Sequence, residues 1–281
     1  PWLMQSLNVP SAFIAWLVPI RESGSLLPQL AIANIIRKLS VRKWVWVCGA
    51  FAQAVCIGAM VGVSFVLEGA QAGYAILALL VLFSLARGFN SIAAKDVLGK
   101  VIPKKKRGNI SGLAASIAGF ATLTFGLMMW FFSGQKEQNT VLIALCLGAV
   151  LWVVAALFYS RINEYKGATQ GGKNGFLNAL SKLKLLYQDK QFAHFVITRA
   201  FLLCSALSAP FYIILASSQQ FEFSLLAVFL AVSGLASLIS GPIWGRLSDF
   251  SSQKVLVISA LLVTINGVSV FVIASWYSQL F

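Results

Sequence analysis

The sequence predicts an all-α, polytopic membrane helix bundle, and three observations predict it. Long apolar runs follow one another along the 281-residue chain. Charge is scarce: 59% of residues are hydrophobic and 11% charged, where a soluble domain carries about 25% charge. The basic residues are concentrated in every second gap between the runs. A helix needs roughly 20 apolar residues to cross a ~30 Å hydrocarbon core, and it satisfies its own backbone where lipid offers no partner. Barrel strands would read as alternating segments of about 10 residues, which these runs are not.

Taken in order, the runs centre on Pro10–Ile36, Trp44–Leu67, Gly73–Ala86, Ile110–Phe132, Val141–Tyr159, Ala200–Ser218, Phe223–Gly245 and Val255–Trp276. The first is interrupted only by Arg21 and Glu22. Asn8 and Pro10 open it, since Pro is tolerated in a first helical turn. Gly99 and Pro103 close the third before the Lys104–Arg107 cluster. Small residues recur at Gly112, Ser116 and Gly119, and at Ser233, Gly234, Ser237, Ser240 and Gly241, a pattern that lets membrane helices approach closely.

Of the 22 basic residues, 18 fall in alternate gaps and Lys136 alone in the facing ones. The positive-inside rule makes the basic side cytoplasmic, so the net charge of +14 marks membrane topology rather than nucleic-acid binding. Lys104–Arg107 serve as a topology determinant and lipid-headgroup contact. Cys48, Cys56, Cys146 and Cys204 lie inside apolar runs and read as small hydrophobes, with no disulfide or metal framework. The chain opens Pro1-Trp2 and stops at Phe281, just past an outward-ending helix, and reads as a fragment cut at both ends.

The longest gap contains Gly167, Gly171, Gly172 and Gly175, which is linker composition. Its second half, Phe176, Leu177, Leu180, Leu183 and Leu186 with Lys182 and Lys184, has helical spacing. It fits either a basic amphipathic helix on the inner membrane face or a solvated connecting helix. The expected organisation is an N-terminal bundle of five helices over 1–160, a cytoplasmic linker over 161–190 and a C-terminal bundle of three helices over 191–281.

Charge inside hydrocarbon is expensive, so each instance is a functional candidate. Glu22 is the only acid deep in an apolar run. A carboxyl there suits proton coupling, because its surroundings decide whether it holds a proton; a structural pair with Arg21, or with an arginine of another helix, is the competing reading. Arg87 and Arg199 lie in different bundles and suit an anionic substrate, since Arg keeps its charge. The competing readings are a fixed interhelical contact for Arg87 and snorkelling for Arg199. His194, the single histidine, is either a proton relay or an interfacial residue.

Gly245-Arg246-Leu247-Ser248-Asp249-Phe250-Ser251-Ser252-Gln253-Lys254 resembles the loop signature G-x-L-a-D-r-x-G-r-[RK] of the major facilitator superfamily. Gly245, Leu247, Ser248, Asp249 and Lys254 match; Phe250, Ser252 and Gln253 depart. Asn34–Lys43 is a worn copy that keeps Arg42-Lys43, with Asn34 for Gly, Lys38 for Asp and Val41 for Gly. Arg87-Gly88-Phe89-Asn90-Ser91 is similar to the superfamily's fourth-helix R-x-x-[QN]-G, with Ser91 for Gly. On the twelve-helix plan the chain would cover the second to ninth helices, a partial major-facilitator fold.

The resemblance implies a secondary active transporter working by alternating access. Arg87, Arg199 and Asn90 would be cavity residues. Glu22, Arg21 and His194 would be candidates for proton coupling. Gly245, Arg246, Asp249 and Lys254 with Arg42 and Lys43 would form gating loops; in the superfamily the loop Asp meets a helix end and latches the inside-closed state. The helix after Lys104–Arg107 lacks the P-x-x-G-G of antiporters, which argues against drug/proton antiport.

An organic anion is the expected small-molecule substrate, and a non-transporting accessory or lipid- or pigment-handling protein on the same scaffold is the alternative. No cofactor, metal or nucleic-acid partner is expected. Membrane lipids are expected partners, the full-length protein is expected to be monomeric, and its expected location is a bacterial inner membrane. No H-E-x-x-H, G-x-S-x-G, P-loop or paired Asp-rich motif supports an enzyme.

Overall fold

The computed structural model describes residues 2–26, 29–131, 137–167, 169, 184–205 and 223–280, and these contain helices and turns but no strand. In chain order the helices are α1 (Trp2–Ser6), α2 (Ser11–Ala15), α3 (Leu17–Leu26), α4 (Gln29–Arg37), α5 (Lys43–Val66), α6 (Gly69–Val101), α7 (Arg107–Phe131), α8 (Glu137–Ser160), α9 (Leu185–Gln188), α10 (Lys190–Ser205), α11 (Phe223–Phe250) and α12 (Ser252–Leu280). A 3-10 turn at Lys104–Lys106 precedes α7.

Among the described residues, segments of six helices, α5 to α8, α11 and α12, are long and apolar enough to cross a membrane. They coincide with six of the runs read from sequence. Their outward side chains are apolar: Phe65, Phe131, Phe158 and Phe271 are exposed, the inverse of a soluble core and the surface that lipid requires.

The first run differs from the single interrupted span expected. It holds α2, α3 and α4 as separate helices. Pro19 has no N–H to return to Ala15, so α2 stops there, and proline then sits harmlessly in the first turn of α3. The third run also differs, because α6 continues 15 residues past Ala86 to Val101. At ~1.5 Å per residue its 33 residues exceed the hydrocarbon thickness. The Ala200–Ser218 run beyond Ser205, and the Phe176–Leu183 part of the amphipathic segment, lie outside the described residues.

The chain divides into two compact units: Pro1–Pro103 with Gly134–Lys182, and Lys104–Ser133 with Leu183–Phe281. Helix α7 precedes the linker in sequence yet belongs to the second unit. In unit 1, Leu3, Met4, Leu7 and Val9 close one end by packing on Ala72 and Ile76 of α6, with Val141, Leu142 and Leu145 of α8 beside them. At the other end Ile32 and Ile36 pack on Ala93. Trp46 of α5 stacks on Tyr159 of α8 with ring centroids 3.9 Å apart.

Unit 2 is built on backbone contact. A Cβ on Gly112 would lie 2.3 Å from the Gly241 carbonyl oxygen, and one on Gly119 would lie 2.5 Å from the Leu238 nitrogen. Gly126, Gly234, Gly241 and Gly245 meet the facing backbone equally closely. Pro242 lies inside α11 and cannot donate to the Leu238 carbonyl four residues back. The Ser116 hydroxyl of α7 donates to that Leu238 oxygen at 3.0 Å. A carbonyl orphaned in hydrocarbon would be costly, so one helix repairs the gap that proline opens in the other.

Candidate functional site

The deep charges of unit 1 converge. Arg21 Nη2 is 2.9 Å from Glu22 Oε1, and Arg87 Nη2 is 3.5 Å from Glu22 Oε2. Small residues allow this convergence of α3 and α6. A Cβ on Gly24 would meet the Ser84 Cβ at 2.8 Å, and one on Gly88 would meet the Ser25 carbonyl oxygen at 3.2 Å. One carboxylate therefore lies between two guanidiniums, a cluster of net charge +1 far from either end of α6. Arg87 precedes Val101 by 14 residues, roughly 21 Å of helix. The side chains of Glu22 and Arg87 remain 40% and 39% exposed, so both are open to a third partner.

The other deep candidates lie elsewhere. Asn90 is buried against α5, in space that Gly49 leaves free. With its amide oriented to satisfy both ends, it donates to the Trp46 carbonyl (3.1 Å) and accepts from Gln53 Nε2 (2.8 Å). That is an interhelical hydrogen bond of the kind membrane helices use for association. In unit 2, Arg199 is exposed on α10 and makes no ion pair among the described residues. His194 is exposed on the same helix, its Nδ1 2.6 Å from the Lys190 carbonyl oxygen.

The basic ends carry a second set of contacts. Asp249 Oδ1 accepts from the Gly108 N–H and Oδ2 from the Asn109 N–H, both at 2.7 Å. This carboxylate, in the last turn of α11 rather than in the expected loop, thereby covers the first turn of α7, where orphan donors and the helix dipole favour negative charge. The Gly245 and Gly108 backbones touch at this point. Arg246 and Lys254 are exposed, with Lys254 Nζ 5.4 Å from the Phe250 ring centre.

In unit 1 the Arg42-Lys43 pair is built into the helix ends. The Arg42 Nε donates to the Ile36 (3.2 Å) and Leu39 (3.1 Å) carbonyls, and its guanidinium also binds Asp96. Lys43 Nζ donates to the Ser160 (2.9 Å) and Ile162 (2.8 Å) carbonyls at the end of α8.

A model of the Major Facilitator Superfamily matches residues 1–281. The chain belongs to the Major Facilitator Superfamily. No curated protein and no solved structure matches it. Membership in this superfamily, together with six helices among the described residues that are long and apolar enough to span, makes it a multi-pass integral membrane protein and a membrane transporter.

Within this superfamily chain, sequence reasoning missed Glu164. It was grouped with the polar linker, yet its side chain is 0% exposed and 2.6 Å from Lys100 Nζ. Its Oε2 accepts from the Arg42 (2.8 Å) and Lys43 (2.6 Å) N–H groups, capping α5. The Gly167 N–H donates to the Ser40 carbonyl at 2.9 Å, so the start of the linker is docked onto the Ser40–Lys43 turn. Asp96, which binds Arg42 and Lys100, was missed too. The available signal was scarcity: Asp96 is the single acid of its basic gap, and Glu164 shares the 161–190 gap only with Asp189. Asp189 follows the same rule, accepting from the Gln191 (2.9 Å) and Phe192 (3.1 Å) N–H groups at the start of α10.

Proposed function

We propose that the protein is a secondary active transporter of a small organic anion, working by alternating access and coupled to protons through Glu22. The observation that carries this reading is Glu22 between Arg21 and Arg87. Arginine keeps its charge at any physiological pH, whereas the surroundings of a carboxyl in a membrane decide whether it carries a proton. With Glu22 ionised, Arg87 already has an anion. A proton on Glu22 removes that anion and frees the guanidinium for a substrate carboxylate or phosphate, which it receives in bidentate geometry. Departure of the substrate lets the Glu22–Arg87 pair re-form as the proton leaves. Proton and anion then favour each other's binding by the same factor, and substrate affinity rises as pH falls.

In this reading Asp249 is a gate contact that breaks and re-forms at the first turn of α7, with Gly245 keeping the two backbones close enough for it. Arg42 and Lys43 keep their helix ends fixed while the gate moves. The basic ends face the cytoplasm of a bacterial inner membrane, consistent with the clustering of 18 of 22 bases on one side.

The test is uptake by the full-length protein in proteoliposomes, with organic anions, cations and neutral solutes compared. Anions are expected to accumulate. Arg87→Lys, which keeps the charge and loses the fork, is expected to weaken substrate affinity about tenfold. Accumulation confined to cations or neutral solutes would overturn the reading, as would unchanged anion affinity in Arg87→Ala.

A further inference from the structure

Between the basic ends of α4 and α6, unit 1 has a pocket of about 300 Å³ lined by Ala33, Ile36, Arg37, Arg42, Ile92, Lys95 and Asp96. Its charged lining is three bases and one acid. The acid is already committed, because Asp96 binds Arg42 and Lys100. The carbonyls at the end of α4, which would repel an anion, are covered by Arg42: Ile36 and Leu39 accept from its Nε and Arg37 from its Nη2 at 3.3 Å. Arg37 and Lys95 are exposed at the pocket and make no ion pair among the described residues.

The other acid at this end of unit 1, Glu164, is committed as well, to Lys100 and to the first turn of α5. The rest of the lining, Ala33, Ile36 and Ile92, is apolar. Two cations with no ion pair among the described residues, beside an apolar wall at the basic end of the membrane-spanning α6, form an amphipathic receptor for an anionic group joined to a hydrocarbon body.

We propose that this pocket binds the phosphate of an anionic phospholipid from the leaflet facing the basic loops, with Arg37 and Lys95 contacting the phosphate oxygens. The glycerol end of the lipid rests on Ala33, Ile36 and Ile92. Arg42 and Asp96 contribute a rigid, already neutralised floor.

The test measures retention of phosphatidylglycerol against phosphatidylcholine by the purified protein, using native mass spectrometry from mixed micelles. Arg37→Gln with Lys95→Gln is expected to reduce the phosphatidylglycerol preference about thirtyfold, the effect of two bases near a headgroup. Both side chains are exposed, so this variant is expected to keep the wild-type melting temperature. Lys38→Gln with Lys166→Gln removes the same charge from exposed side chains outside the pocket and is expected to keep the preference. Equal losses in the two variants would mean diffuse attraction and overturn the site, as would an undiminished preference in the pocket variant. Inorganic phosphate displacing the lipid at millimolar concentration would assign the pocket to free phosphate and overturn the lipid as its ligand.

Discussion

The basic end of unit 1 is tied by side chains, and that of unit 2 by backbone. In unit 1, Glu164, Lys100, Asp96, Arg42 and Lys43 join the ends of α4, α5, α6 and α8 through charged groups that reach across gaps. In unit 2, α7 and α11 lie so close that glycines meet carbonyls directly, and one carboxylate, Asp249, finishes the contact. A charge network tolerates changes of spacing but not the loss of a partner. A glycine contact tolerates loss of charge but not the addition of a carbon. This is the division of labour expected if unit 1 is a fixed frame and the α7–α11 pair carries the gate.

Four variants would break or sharpen that comparison, each read as a change in unfolding free energy in mixed micelles. Glu164→Ala removes a fully buried carboxylate from Lys100 and from the first turn of α5. Lys100 keeps Asp96, so loss of the buried charged contact together with the α5 cap is expected to cost about 2–4 kcal/mol. A loss no greater than that of Asp249→Asn would show that unit 1 does not depend on its charges. Gly112→Val places carbon against the Gly241 carbonyl and is expected to cost about 1–3 kcal/mol. Wild-type stability in that variant would show that the helices separate without penalty.

Ser116→Ala leaves the Leu238 carbonyl without the donor that Pro242 cannot supply. The expected loss is about 1 kcal/mol. Pro242→Ala in the same background is expected to recover most of it, and failure to recover would separate the two residues. Asp249→Asn is the smallest, about 0.3–1 kcal/mol from the helix dipole. Its effect is expected to shrink in 1 M salt, whereas that of Glu164→Ala, whose carboxylate is buried, is expected to persist.

The spanning helices were legible because lipid imposes a length and a composition on each of them. The glycine and serine pattern in Gly112, Ser116, Gly119, Gly234 and Gly241 likewise announced close packing, though not that Ser116 repairs the Pro242 gap; that depends on register between helices far apart in sequence. The lower half of α6 was illegible for a related reason. Asp96 and Lys100 read as loop charges by composition, and only their partners, Arg42 before α5 and Glu164 beyond α8, make them part of a helix end. Glu22 could be singled out by depth, but its nearness to Arg87 depends on Gly24 and Gly88 letting two helices approach. Asn90 matched a motif position and yet fills the space beside Gly49, because a motif gives spacing along one helix and not which face its neighbours cover.

The central claim is that Glu22 carries the coupling proton by exchanging places with substrate on Arg87. The direct measurement is uptake of an organic anion by the full-length protein in proteoliposomes, with and without an inward proton gradient, for wild type and Glu22→Gln. The account predicts that Glu22→Gln loses gradient-driven accumulation and retains exchange of substrate down its own gradient, with binding no longer dependent on pH. Undiminished proton-driven accumulation in Glu22→Gln would contradict it.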